Sequence, residues 1–152
     1  MTGRAGDGPN TGPVVVFTPD EYAHMADVRQ VFIGFQLAAL VALVFGIVLL
    51  IRAGLRDRRS ALVLARDASI AGGAGAAILA VVAAAAFDPL FLLFHEVFFP
   101  QGNFLFGPDS NLIAMYPDQY WYGVTLRIGF TFVAATAAVA LVATATLRQA
   151  RR

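Results

Sequence analysis

Three stretches of the chain carry almost no polar side chains, and the polar residues between them come in short, sharply bounded groups. The apolar stretches run from about Val31 to Ile51, from about Ala68 to Phe87 and from about Val124 to Leu147, each close to the roughly 20 helical residues that cross about 30 Å of hydrocarbon. They are continuously apolar, whereas strands of a membrane barrel alternate and are shorter, so the pattern predicts helices. The expected fold class is all-α: a polytopic transmembrane helix bundle of three spans, with an interfacial or re-entrant helix and an outer loop. The expected division is a flexible tail over residues 1–17, rich in Gly, Pro, Asn and Thr, and a single membrane-embedded domain over 18–152.

Local signals refine this picture. Thr18, Pro19 and Glu21 have the spacing of a helix start, with a capping hydroxyl, proline at the first helical position and an acid three residues after the cap. Pro89 interrupts the end of the second apolar stretch, and the aromatic segment after it predicts a helix lying in or dipping into the interface. Gly72, Gly73 and Gly75, followed by Ala83 to Ala86, would let the second span pack closely against a neighbour. The Gly- and Pro-punctuated run from Pro100 to Ile113 is too apolar for a free loop and is expected to fold back over the bundle as a lid.

Composition agrees with the membrane reading. Of the 152 residues, 59% are hydrophobic and 14% charged, more apolar surface than a water-facing domain of this size buries. A net charge of +1 gives no reason to expect nucleic acid as a partner. The absence of cysteine removes disulfides, thiolate metal sites and thiol nucleophiles.

Every basic residue is arginine, and position matters more than number. Arg52, Arg56, Arg58, Arg59 and Arg66 lie between the first two spans, and Arg148, Arg151 and Arg152 follow the third, while 88–122 holds no basic residue. The positive-inside rule then places the chain in the cell membrane with 52–66 and the C-terminus cytoplasmic, and the N-terminus and 88–122 outside. Tyr116, Tyr120, Trp121 and Tyr122 fit an aromatic belt on that outer side. An outward N-terminus raises the question of an upstream span.

The two histidines, His24 and His95, both fall on the outer side beside a membrane helix. Neutral imidazoles can accept and donate protons near pH 7, which suits a pair of them to general acid and base work. The plainer reading makes each an interfacial side chain with an apolar body and a polar tip. Glu21 and Asp27 lie three residues either side of His24, within helical reach of its ring, so either carboxylate could fix its tautomer. Asp88 precedes His95 by two turns at the edge of the hydrocarbon, and Arg127 lies inside the last span, either snorkelling or pairing with Asp88 or Glu96. The chain has no phosphate-binding glycine loop, Gly-x-Ser-x-Gly elbow or His-Glu-x-x-His motif, and the separation of the histidines gives no metal-ligand spacing. No cofactor or metal is expected.

Two segments carry a family resemblance: His24-Met25-Ala26-Asp27-Val28 ahead of a span, and Phe87-Asp88-Pro89-Leu90-Phe91 followed by Phe94-His95-Glu96-Val97-Phe98-Phe99. With Phe106-Gly107-Pro108-Asp109-Ser110-Asn111-Leu112-Ile113 and Pro117, they resemble the Lit-type lipoprotein intramolecular transacylases from about Tyr22 onward. The resemblance implies a membrane acyltransferase. It would move an acyl chain from the glyceryl group of a diacylglyceryl-cysteine lipoprotein to that cysteine's own α-amino group. Membrane lipids and the lipidated N-terminus of lipoproteins would be its partners. It further implies that His24 and His95 are catalytic, with Asp27, Asp88 and Arg127 as supporting candidates. The family usually has a span ahead of the first motif, which this sequence lacks, and Phe104 and Asn111 stand where a Trp and an Asp are expected. The alternatives are a non-enzymatic accessory or lipid-binding subunit and a b-type haem protein with both histidines as axial ligands.

Overall fold

The computed structural model describes residues 16–150, so most of the expected tail, together with Arg151 and Arg152, lies outside the described residues. These residues form helices and no strand: α1 (Pro19–Arg56), α2 (Arg58–Ala85), α3 (Phe87–Phe98), α4 (Asn111–Met115) and α5 (Asp118–Gln149). Helices α1, α2 and α5 are long and apolar enough to cross a membrane.

α1 begins as its sequence requires. Thr18 is extended (φ −71°, ψ 162°), its hydroxyl accepts the Glu21 N–H at 3.2 Å, and the Glu21 carboxylate accepts the Thr18 N–H at 2.7 Å. Two N–H groups without partners inside the helix are satisfied by one reciprocal pair. At a rise of about 1.5 Å per residue the 38 residues of α1 extend about 57 Å, well beyond about 30 Å of hydrocarbon. Its first turns, ahead of the apolar run beginning at Val31, therefore stand clear of the spanning part.

A single residue separates α1 from α2. Asp57 is extended (φ −168°, ψ 154°), ends one helix and caps the next, accepting the backbone N–H of Ser60 at 2.7 Å and its hydroxyl at 2.6 Å. The second span stops short of the expected Phe87, because Ala86 (φ −139°, ψ 42°) breaks the helix. Pro89 explains the break. In a continuous helix its ring would meet the carbonyl of Ala85, whereas at the third position of α3 its missing N–H has no bond to lose.

α2 and α5 form the most extensive contact and run antiparallel. A Cβ on Gly73 would lie 2.6 Å from Thr136 Oγ1, and one on Gly129 would lie 3.3 Å from the Ala80 Cβ. Moving seven residues up α2 moves the contact seven down α5, so Gly73 and Gly129 are the glycines seated directly against side chains of the facing helix. Gly72 and Gly75 have open space where a side chain would go. Of the expected small-residue stripe, Gly73 is therefore the glycine that makes the contact. The most apolar windows of α1 and α2 contain no buried residue, and that of α5 is 6% buried. Their Leu, Val, Ile and Phe side chains face outward, as they do when lipid is the solvent.

Candidate functional site

The amino end of α1, all of α3, the connection to α4 and the start of α5 gather at one end of the bundle, opposite the Asp57 turn. α3 presents an inward stripe at every fourth residue: Phe87, Phe91 and His95, continued by Phe99 just past its end. Phe87 anchors the stripe against Tyr122 of α5, with ring centroids 5.3 Å apart. Leu92, Leu93 and Val97 occupy the exposed side. This four-residue period is why a short helix holds His95 inward while its other face remains apolar.

His24, on the second turn of α1, meets His95 with ring centroids 6.0 Å apart and planes at 22°. Phe99 lies between the two elements, 1% exposed, 4.7 Å from the His24 ring and 5.5 Å from the His95 ring. Phe106 covers His24 at 5.5 Å, Phe104 covers His95 at 5.2 Å, and Phe91 backs His95 at 4.4 Å. The imidazole pair thus sits in a cage of phenyl rings.

The two rings have different polar surroundings. His95 Nδ1 is 2.7 Å from the carbonyl oxygen of Phe91. A carbonyl can only accept, so Nδ1 carries the hydrogen, and the neutral ring keeps its basic lone pair on Nε2. His24 is 6% exposed, and its buried Nδ1 has no hydrogen-bond partner. Burial lowers the pKa of His24 below its ordinary value and the neighbouring His95 lowers it further, while the Asn103 side chain and the Asp27 charge act the other way.

Neither flanking carboxylate orients the His24 ring, contrary to the expectation drawn from their spacing. Both instead hold the connection between α3 and α4. Asp27 accepts from the side-chain amides of Gln101 at 3.0 Å and Asn103 at 2.7 Å. Glu21, 2% exposed, accepts from the Ser110 hydroxyl and from the Leu112 N–H at 3.1 Å, besides its bond to Thr18. These bonds, that of Ser110 foremost, hold the Glu21 carboxyl down at about 2. The Asn111 side chain adds a bond to the Val16 carbonyl. The connection is therefore a strap, fastened three residues before and three residues after His24. Between its fastenings Phe104 and Phe106 turn inward, while Leu105 is 77% exposed.

The strap fits the lid expected from its apolar, turn-punctuated sequence, but its fastenings are a finding of the structure. Gln101, Asn103 and Ser110 carried no signal that would pair them with residues more than seventy positions away. Phe99 was within reach, since it continues the 87-91-95 spacing.

Asp88 and Arg127 stand apart from this cluster. Asp88 shares a helix face with His95 but lies about 10 Å along the axis, exposed in a shallow groove with Asp118, Gln119 and Tyr122. Arg127 is exposed and pairs with neither Asp88 nor Glu96; among the described residues the ion pair formed is Arg66 with Asp67 at 2.8 Å.

No curated protein and no solved structure matches the chain. A family model described as lipoprotein intramolecular transacylase Lit matches residues 9–121, a stretch that includes α1, α2, α3, the strap and both histidines. With most of its length inside that match and its two histidines brought together where the matched segments meet, the chain belongs to the Lit family of lipoprotein intramolecular transacylases.

Proposed function

We propose that the protein is a membrane acyltransferase that moves one acyl chain of a diacylglyceryl-cysteine lipoprotein from the glyceryl oxygen to the α-amino group of the same cysteine. The observation that carries this reading is the His24–His95 pair, 6.0 Å apart inside a phenyl cage and within the stretch that matches the family. The reaction forms a C–N bond at the ester carbonyl and breaks its bond to the glyceryl oxygen. One proton must leave the amine and one must reach the departing oxygen. His95 is suited to take the first, because its Nδ1–H is committed to Phe91 and Nε2 remains basic. The imidazolium so formed can pass that proton on to the glyceryl oxygen, which closes the proton count, while His24, its pKa lowered by burial, offers an N–H that hydrogen-bonds the reacting oxygen without giving up its proton. Nucleophile and ester belong to one substrate molecule, so holding them together supplies much of the rate.

The arginines around the Asp57 turn and Arg148 at the end of α5 favour the cytoplasmic side, which supports an outer-face location for the site, where it would meet lipid-anchored substrate. The test is mass spectrometry of the N-terminal lipopeptide of a reporter lipoprotein, co-expressed with the protein or its His24→Ala or His95→Ala form in a host lacking other N-acylation. The expected result is a glycerol-to-amine acyl shift with the wild type and none with either variant at equal expression. An unchanged diacylglyceryl lipopeptide with the wild type overturns the reading.

A further inference from the structure

We propose that Phe104 and Phe106 form a roof that decides what the ester carbonyl reacts with, keeping water away so that the amine alone is acylated. This inference rests on the acyltransferase reading above. Water and the amine are competing acceptors. If water attacks the carbonyl, a C–O bond forms, the bond to the glyceryl oxygen breaks, and the products are a free fatty acid and a deacylated lipopeptide with its amine unmodified. The acid and base groups that assist transfer would assist hydrolysis equally, since both reactions deprotonate a nucleophile and protonate the same leaving oxygen. The histidines therefore cannot make the distinction themselves. The amine reaches the ester only by closing a medium-sized ring, a conformation visited seldom, so nearby water would compete well.

The strap provides what the histidines lack. Residues 104 and 106 project to one side of it, one ring over each imidazole, at 5.2 Å from His95 and 5.5 Å from His24. Leu105 between them faces away. Phe99 closes the cage from below, and His24 retains 6% of its exposure. Neither roof ring offers a hydrogen bond to water, and the strap is held in place by the carboxylates of Asp27 and Glu21 on either side of His24. Excluding water by closure over a reactive carbonyl is a recognised means of suppressing side reactions.

The experiment uses the full chain in lipid nanodiscs with a synthetic dipalmitoylglyceryl-cysteinyl peptide in ¹⁸O-labelled water. Phe106→Ala and Phe104→Ala are expected to raise the ratio of labelled palmitic acid to N-acylated peptide by about tenfold or more. Phe106→Leu, which keeps apolar bulk, should stay near the wild-type ratio, and Leu105→Ala on the outer side of the strap should match the wild type. If both alanine variants slow transfer with no gain in labelled acid, the roof does not choose the acceptor and the proposal is overturned. Labelled acid as the main product of the wild type overturns it as well. Failure of the acyltransferase reading itself looks different: the wild type then yields neither product.

Discussion

His24 and His95 face each other with ring planes at 22° and centroids 6.0 Å apart, and they do so without a carboxylate bonded to either ring. Burial, and then the proximity of His95, hold the pKa of His24 below its ordinary value, about 6.5. His24 therefore stays neutral further into acid than a free histidine, and the titration of its ring should be centred below that value. Stability follows the same sign. As pH drops below the unfolded value the unfolded ring takes up a proton first, and stability is lost progressively toward the lower folded value. Histidine NMR titration and thermal unfolding between pH 5 and 8 check both, and a His24 ring that titrates above the ordinary histidine value contradicts the assignment.

Glu21→Ala should unfasten the strap. The substitution removes both oxygens, the one that accepts from Ser110 and Leu112 and the one that accepts from Thr18. Limited proteolysis within 100–117 should speed up by about tenfold, because opening of a local segment sets its rate of cleavage. In the wild type the carboxyl is held at about 2, against an ordinary value of about 4.3, so the fastening is fully present above the latter and is lost as pH falls toward the former. Equal cleavage rates for the two proteins at neutral pH would show that the strap does not depend on Glu21.

Gly73→Ala should destabilise the bundle by about 1–3 kcal/mol through overpacking. Its Cβ would sit 2.6 Å from Thr136 Oγ1 and 3.3 Å from Thr136 Cβ, and that hydroxyl is tied to the carbonyls of Phe132 and Val133. Thr136→Ala in the same chain should recover part of the loss. Gly72→Ala and Gly75→Ala, which meet nothing, should be neutral or slightly stabilising. Thermal unfolding in detergent ranks the variants, and a harmless Gly73→Ala would mean that α2 and α5 are not in close backbone contact there.

Asp88→Asn and Arg127→Ala should leave acyl transfer within about twofold, as expected of exposed groups away from the reacting atoms. Kinetics on the synthetic lipopeptide decide the matter, and a loss of about a hundredfold in either would return that residue to the site.

The readable part of this protein was the part governed by short sequence intervals. The apolar runs show the spans because hydrocarbon demands continuity, and the Thr18–Glu21 start is legible because a capping box needs residue types at one fixed spacing. Both histidines stood out because so few other groups in the chain can move a proton near neutral pH. What spacing could not show was partnership across the chain. Glu21 and Asp27 lie in helical reach of His24, yet amide and hydroxyl donors brought in by the strap compete for the same oxygens and win. The break at Ala86 rather than at Pro89 follows from a clash one turn upstream, a detail the proline alone marks only approximately.

α3 has one further consequence. Its 12 residues amount to about 18 Å, too short to cross the hydrocarbon, and its outward Leu92, Leu93 and Val97 need an oily surrounding while His95 on the opposite stripe needs polar company. A helix with those two demands settles at the level where acyl tails give way to glycerol, which is also the level of the ester groups of any lipid-anchored molecule. On the acyltransferase reading, the imidazoles would then lie at the height of the bond they act on, and a substrate arriving by lateral diffusion would meet them without being lifted from its leaflet.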